Sequence, residues 1–188
     1  AREKNKIWYK KIIRRWINRF VLKNASSIVS GGSNSEKYYI SQGFQRECVF
    51  KAYQSVDDMA KKKDKDFIKD TEVVKILFFS RIVASKGLDV LISSFSNIQK
   101  RHSNVELHII GDGSDRIRCE GIAASKQIEN IYFYGAVDNE KAYKYFQNAD
   151  IFVLPCNGYK RGEGWGLVIN EAASMSLPII TTNVVGAT

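Results

Sequence analysis

The chain has 188 residues, and its 44% hydrophobic and 26% charged content is typical of a globular protein. No apolar run in the sequence approaches the ~20 residues of a membrane-spanning helix. The formal net charge is +9, but residues 1–23 carry nine basic side chains and one acidic one, so the excess belongs to one segment. Cys48, Cys119 and Cys156 form neither a disulfide framework nor a CxxC metal motif, and no secretory signal opens the chain, so we expect a cytoplasmic protein.

The first predicted element is a basic amphipathic helix over residues 7–23. Trp8, Ile12, Trp16 and Phe20 recur every four residues, and lysines and arginines fill the opposite side. Its apolar stripe is expected to pack on a neighbouring sheet or to rest on an anionic membrane surface, and the two alternatives are compatible. No nucleic-acid-binding module surrounds the helix, so nucleic acid is not expected as a partner.

Short elements and a charged stretch follow. Strands are predicted at 27–30 and 48–50, and between them Ser33–Glu36 reads as a capping box that opens a helix ending before Gly43. The lysine-rich stretch after them has no apolar period, and we predict a linker over residues 58–72 or an exposed loop within it.

From residue 73, apolar strands alternate with amphipathic helices. Predicted strands cover 73–79, 105–110, 131–135, 151–155 and 178–182, and predicted helices cover 87–101, 114–127, 139–148 and 166–176. This alternation predicts an α/β fold with a Rossmann-like, doubly wound parallel sheet. A ligand is expected at the carboxyl ends of its strands.

Two glutamates, Glu163 and Glu171, lie eight positions apart around a glycine-rich turn between a predicted strand and a predicted helix. Such a turn offers free backbone N–H groups and the positive end of a helix dipole, which together favour a phosphate. The spacing would let the two acids contact separate parts of one long ligand whose phosphates lie between them.

The Glu-x7-Glu pattern resembles the donor-site motif of retaining glycosyltransferases of family 4, which have the GT-B fold. Four further segments resemble landmarks of that family in its order: Ser80-Arg81…Lys86-Gly87, Gly111-Asp112-Gly113, 131–135 and 149–155. The resemblance covers residues 72–188 well and residues 7–57 loosely. It implies a nucleotide-sugar donor-binding domain over 73–188, incomplete at its C-terminus, after a remnant of the N-terminal, acceptor-side GT-B domain over 1–57.

The function that the resemblance implies is transfer of a sugar, with retention, from a UDP- or GDP-linked donor to a glycan or lipid-linked acceptor. No metal or other cofactor is expected, and the protein would be cytoplasmic or peripheral at the cytoplasmic face of a membrane. Because most of the acceptor-side domain would be absent, we expect the chain alone to be inactive.

By the same resemblance, Arg81 and Lys86 would neutralise the charge that grows on the leaving diphosphate, which suits fixed cations. Glu163 would contact the hydroxyls of the transferred sugar. Glu171 would bind the ribose, because a carboxylate can accept two hydrogen bonds from a cis-diol.

Six further residues would contribute to donor binding through backbone groups: Gly164, Gly166, Leu167, Gly135, Val137 and Gly111. The first three would offer N–H groups to the sugar and diphosphate, and glycine permits a close approach. The next two belong to the loop that would hold the nucleobase. Gly111 is expected to form a tight turn, and bordering the base pocket is the alternative for it.

Alternatives from other classes remain open. One is a different GT-B enzyme, such as a nucleotide-sugar epimerase or a phosphorylase, and another is a non-catalytic module for assembly or membrane docking. An oxidoreductase is disfavoured because the first sheet strand is not followed by a glycine-rich turn, and Arg116 occupies the place of the last glycine in a dinucleotide fingerprint after Gly111.

Overall fold

The structure is a computed structural model that describes residues 2–56, 58–69, 71–158 and 166–186. The chain divides into two compact units, Ala1–Tyr53 and Gln54–Thr188. This division differs from the predicted boundaries at residues 57 and 72, because the segment predicted as a linker belongs to the second unit. Among the residues described, no helix has the length and hydrophobicity needed to cross a membrane.

The first unit consists of two helices and a two-stranded parallel sheet. Its elements are α1 (Arg2–Asn24), β1 (Ile28–Ser30), α2 (Ser33–Ser41) and β2 (Val49–Lys51). Strands β1 and β2 pair in register from Ile28 with Val49. The predicted helix over 7–23 lies inside α1, and both predicted short strands are confirmed.

The predicted capping box at the start of α2 is wrong. Gly32 is the N-cap and provides no side chain, while Ser33 is already helical. The carboxylate of Glu36 forms an ion pair with Lys51 at 2.9 Å, so it does not turn back to the helix start. The predicted stop is correct: Gly43 follows the helix with φ of +93°, a conformation that glycine adopts without strain.

The second unit is a five-stranded parallel sheet with helices between the strands. Its elements are β3 (Val74–Phe79), α3 (Leu88–Gln99), β4 (Val105–Ile110), α4 (Arg116–Ser125), β5 (Ile131–Gly135), α5 (Asn139–Asn148), β6 (Ile151–Leu154), α6 (Leu167–Ser174) and β7 (Ile179–Thr181). Each predicted strand and helix from residue 73 onward corresponds to one of these elements. The predicted α/β class and parallel sheet are therefore confirmed.

The strand order β5-β4-β3-β6-β7 defines where a ligand can bind. The chain proceeds outward from β3 to β4 and β5, and then crosses back to place β6 on the other side of β3. Loops at the carboxyl ends of β3 and β6 therefore leave the sheet in opposite directions. This topological switch point opens a crevice between them.

The core holds the helices on the sheet. Phe146 of α5 is fully buried between Phe79 and Phe152. Its ring centroid lies 5.2 Å from that of Phe79 and 5.8 Å from that of Phe152. On α3, Ile92 and Phe95 are fully buried as well. Burial of one such side chain stabilises the fold by about 1.5–3 kcal/mol, which is enough to fix each helix on the sheet.

The segment that precedes β3 is fastened to the second unit. Met59 is buried in its core, and the side chain of Gln147 on α5 makes two hydrogen bonds with the backbone of Asp64, at 2.6 and 3.0 Å. Lys69 forms an ion pair with Asp150 at 2.7 Å. The lysine-rich stretch is exposed, as an unpatterned charged sequence predicts, yet its backbone is docked.

Candidate functional site

The loops that follow β3 and β6 are joined at the switch point. Gly87 approaches Pro155 so closely that an added Cβ would overlap the Pro155 carbonyl oxygen. Asn157 links the two loops further: its backbone N–H donates to the carbonyl of Ser85 at 3.1 Å, and its side-chain Nδ2 donates to the carbonyl of Ala84 at 2.7 Å. The floor of the crevice is therefore held by backbone contacts.

Two cations of the β3 loop lie at this floor. Lys86 is only 7% exposed, and burial lowers the pKa of its ammonium group. Cys156 raises that pKa, and the positive charge of Arg81 lowers it further. Arg81 itself is exposed to solvent. A bound anion would stabilise both charges, so the pair is suited to a phosphate or diphosphate.

Cys156 lies beside Lys86 in the adjoining loop. Its side chain is 2% exposed, and burial raises the pKa of the thiol although the Lys86 charge lowers it. The hydroxyl of Thr182 donates to the Cys156 carbonyl at 2.6 Å and ties the end of β7 to the same loop. This environment is that of a packed, protonated thiol.

Helix α6 begins on the β6 side of the crevice. Gly166 is its N-cap, is buried, and has φ of +81°. Leu167, the first helical residue, is 44% exposed. The N–H groups of a first helical turn lack intrahelical partners and favour an anion. Glu163 and Gly164, also predicted for the site, lie outside the described residues.

Glu171 is the fifth residue of α6 and is partly buried. Burial raises the pKa of its carboxyl group. No hydrogen bond or ion pair reaches its carboxylate from the described residues; the neighbouring Ser174 hydroxyl bonds to the backbone carbonyl of Glu171 instead. A partly buried acid without a partner costs stability, and such groups are concentrated at binding and catalytic sites.

The loops after β4 and β5 form the remaining part of the same sheet edge. Gly111 donates its N–H to the carbonyl of Gly135 at 2.7 Å, and a Cβ on Gly111 would overlap the carbonyl of Ser80. Three strand ends are thereby in direct backbone contact. Val137 packs partly against the core below this edge.

One residue of this edge was missed by sequence reasoning as a site residue. Arg116, noted only because it breaks a glycine fingerprint, lies beside Gly135. It pairs with Asp112 and Glu120, four residues away on either side. That i, i+4 charge spacing is visible in the sequence and indicates a fixed guanidinium.

A separate group of titratable side chains is centred on His108. His108 on β4 is hydrogen-bonded to Glu106 and to the hydroxyl of Tyr134, each at 2.9 Å. It borders a cavity of about 240 Å³ beneath α5 that reaches the middle of β3 at Ile76 and Leu77. Within the described ranges, no group of three or more His, Cys, Asp or Glu side chains is arranged to hold a metal ion.

Comparisons with known proteins identify the family. Residues 58–188 match the family model of glycosyl transferases group 1, so the chain belongs to that family, whose members have the GT-B fold. This range contains the whole five-stranded sheet and the crevice at its carboxyl edge.

Two relatives are longer than this chain, which matches only part of each. It is 28% identical over 185 residues to an uncharacterised 41.2 kDa protein in the cps region of Klebsiella pneumoniae, covering 95% of this chain and 48% of that protein. It is 32% identical over 142 residues to the alpha-monoglucosyldiacylglycerol synthase of Acholeplasma laidlawii, covering 75% and 34%. The chain thus spans between a third and a half of these relatives.

The structural comparison confirms the fold. Anabaena Alr3699/HepE, crystallised in complex with UDP and glucose, superposes with a TM-score of 0.72 at 18% identity, over 92% of this chain and 48% of HepE. At 18% identity, this similarity concerns the fold alone.

Proposed function

We propose that this chain carries the nucleotide-sugar donor site of a retaining glycosyltransferase of family 4. The whole protein would move a hexose-type sugar from a UDP- or GDP-linked donor to a glycan or lipid-linked acceptor. Membership of the glycosyl transferases group 1 supports the class of reaction. UDP and glucose in the HepE complex support the class of donor, and the lipid product in the name of the Acholeplasma relative supports a lipid-linked acceptor.

The observation that carries the proposal is the partly buried Glu171 carboxylate, which lacks a partner among the described residues. A ribose cis-diol would donate two hydrogen bonds to it and replace the water lost on burial. Across the crevice, Arg81 and Lys86 would face the diphosphate. In this arrangement Glu171 would bind the ribose, and the two cations would bind the phosphates.

The chemistry follows from where negative charge develops. As the bond between sugar and diphosphate breaks, charge grows on the departing phosphate oxygens. Arg81, Lys86 and the N-terminus of α6 would stabilise that charge without a metal ion. Glu163 and Gly164 remain proposed contacts of the transferred sugar, with Gly166 and Leu167 offering N–H groups beside them.

An epimerase or a non-catalytic module is not favoured, because the family of the chain is one of glycosyltransferases. Residues 1–57 are proposed to belong to the acceptor-side domain. Since the chain spans only part of its relatives, we expect it to bind nucleotide weakly and to show no sugar transfer by itself.

Titration calorimetry with UDP, GDP and ADP tests the donor site. We expect one of them to bind selectively, with an affinity that EDTA does not change, and Glu171→Ala to reduce that affinity at least about tenfold, or about 1.4 kcal/mol. Glu140→Ala, which removes an exposed carboxylate from the first turn of α5, is the matched control and should bind as the wild type does. Equal affinities for the wild type and Glu171→Ala would contradict the proposal.

A membrane surface is the proposed partner of α1. Trp16 and Phe20, one turn apart on this helix, are 73% and 71% exposed, and Arg15 and Arg19 beside them are exposed too. Exposed aromatic and basic side chains on one helix suit the interface of an anionic bilayer, which would place the protein at the cytoplasmic face of a membrane. Co-sedimentation with vesicles that contain anionic lipid should fall when both aromatics are replaced by serine. Unchanged sedimentation would favour packing of α1 on another part of the protein.

A further inference from the structure

Arg116 lies where the loops after β4 and β5 meet. It is the first residue of α4, and Nη1 of its guanidinium lies beside Gly135. A Cβ built on Gly135 would stand 3.1 Å from Nη1 of Arg116, closer than ordinary van der Waals contact. Gly135 also has φ of +78°, so both its conformation and its neighbour favour glycine.

Two carboxylates fix the plane of this guanidinium. Nε of Arg116 donates to Glu120 at 2.7 Å, and Nη1 donates to Asp112 at 3.3 Å. Asp112 is itself held, because its other carboxylate oxygen accepts the N–H of Gly113 at 2.7 Å. The hydrogen bond to Glu120 raises the pKa of Arg116 further above its ordinary value, so the side chain is a permanent cation.

A fixed guanidinium has a specific use beside a backbone edge. Its planar, delocalised charge stacks on aromatic rings, and every nucleobase presents such a face. Gly111 and Gly135, joined by a backbone hydrogen bond, carry no side chains of their own at this edge. A flat ring could therefore approach the backbone while the guanidinium covers one face of it.

We propose that the Arg116 guanidinium, oriented by Asp112 and Glu120, forms one wall of the nucleobase pocket and stacks on the base of the donor. This inference rests on the proposed function, since it requires a nucleotide at the sheet edge. It assigns Arg116 a contribution that depends on the presence of a base and not on the diphosphate.

Calorimetry with ligands that differ in the base tests this role. UDP and GDP carry both a base and a diphosphate, whereas inorganic pyrophosphate carries only the charged part. We expect Arg116→Ala to weaken binding of the preferred nucleotide about tenfold and to leave pyrophosphate affinity unchanged. Arg116→Lys, which keeps the charge and loses the plane, should show most of the same loss.

Arg118 provides a matched control within α4. It forms ion pairs with Asp89 at 3.2 Å and Asp115 at 2.8 Å, so Arg118→Ala removes another paired arginine, two residues further along α4. We expect wild-type nucleotide affinity for this variant. Its melting temperature also measures how much the loss of two ion pairs destabilises the protein. The melting temperature of Arg116→Ala, which loses two ion pairs as well, is compared with this value.

The outcomes separate this inference from the proposed function. If the wild type binds a nucleotide and Arg116→Ala binds it equally well, the stacking role is overturned while the donor site stands. An equal loss for nucleotide and pyrophosphate would also overturn it, because the effect would then be one of charge. If the wild type binds neither ligand, the donor site fails and the inference fails with it.

Discussion

Gly87 and Pro155 are in backbone contact at the carboxyl edge of the sheet, and no side chain fits between them. A Cβ on Gly87 would overlap the Pro155 carbonyl oxygen, and Gly87 has φ of +69°. Gly87 directly follows the buried Lys86, whereas Pro155 directly follows β6. Their contact therefore sets the distance between the cation-bearing loop and the loop that leads towards α6.

Substitution of the close-contact glycines should destabilise the fold. Gly87→Ala and Gly111→Ala each place a methyl group onto a carbonyl oxygen at a positive φ, and we expect losses of about 2–4 kcal/mol in the free energy of unfolding. Gly121→Ala is the control, because it lies within α4 with nothing within 4 Å of its added Cβ. It should gain about 0.5–1 kcal/mol. Urea denaturation measures all three; similar values for Gly87→Ala and Gly121→Ala would contradict the backbone contact.

Glu171 should oppose stability at neutral pH. Burial raises its pKa in the folded state, so between the unfolded value of about 4.3 and the folded value the native protein binds more protons, and stability falls as pH rises through that window. Glu171→Gln should therefore melt no lower than the wild type at pH 7 while losing nucleotide affinity.

The pH dependence of this difference provides the check. Below both pKa values the wild-type carboxyl is protonated in both states, so the advantage of Glu171→Gln should disappear near pH 3.5. Glu140→Gln, which neutralises an exposed carboxylate on α5, is measured alongside as the matched substitution. A variant that is less stable than the wild type at pH 7, by differential scanning calorimetry, would mean that the ionised Glu171 carboxylate has stabilising partners.

The two cations should contribute electrostatically to diphosphate binding. Replacing either Arg81 or Lys86 by methionine removes a charge from the crevice floor, and we expect nucleotide affinity to fall about tenfold in each case. The dependence of the remaining affinity on salt should also weaken. Lys100→Met, at an exposed position at the end of α3, is the control. Unchanged affinity in both site variants, measured at 20 and 200 mM salt, would argue against an anion at this edge.

The three cysteines should differ in reactivity. Cys119 and Cys156 are buried, and burial raises the pKa of both thiols, whereas Cys48 is partly exposed. Because the thiolate is the reactive form, we expect a small thiol reagent to label Cys48 in the native protein and all three only after unfolding. Mass spectrometry of the labelled peptides reports the sites. Rapid native labelling of Cys156 would show that the crevice floor is open to solvent at its sulfur.

The second unit was largely predictable because its signals are local. An apolar run such as 105–110 predicts a buried strand, and an amphipathic run such as 139–148 predicts a helix. Because strands and helices alternate, the strands are expected to pair in parallel. The location of Arg81 and Gly135 at strand ends followed from the same pattern. Their roles in binding stay predictions.

The features that sequence reasoning missed depend on distant partners. Glu36 has the spacing of a capping residue, but its carboxylate forms an ion pair with Lys51 of β2 instead. The charged stretch around Asp64 has no period of its own and is docked by Gln147, more than eighty residues later. Arg116 gains its location from a glycine on another strand. Contacts of this kind depend on tertiary packing, which no local pattern records.

The most direct test of the donor site is a nuclear magnetic resonance titration of the isotopically labelled chain with UDP and GDP. The account predicts that the largest amide shift changes fall at the carboxyl edge of the sheet, in Arg81–Lys86, Gly111, Gly135–Val137 and Gly166–Glu171. Changes concentrated instead around the cavity beneath α5, at Phe67, His108 and Tyr145, would contradict it and would place nucleotide binding elsewhere on the sheet.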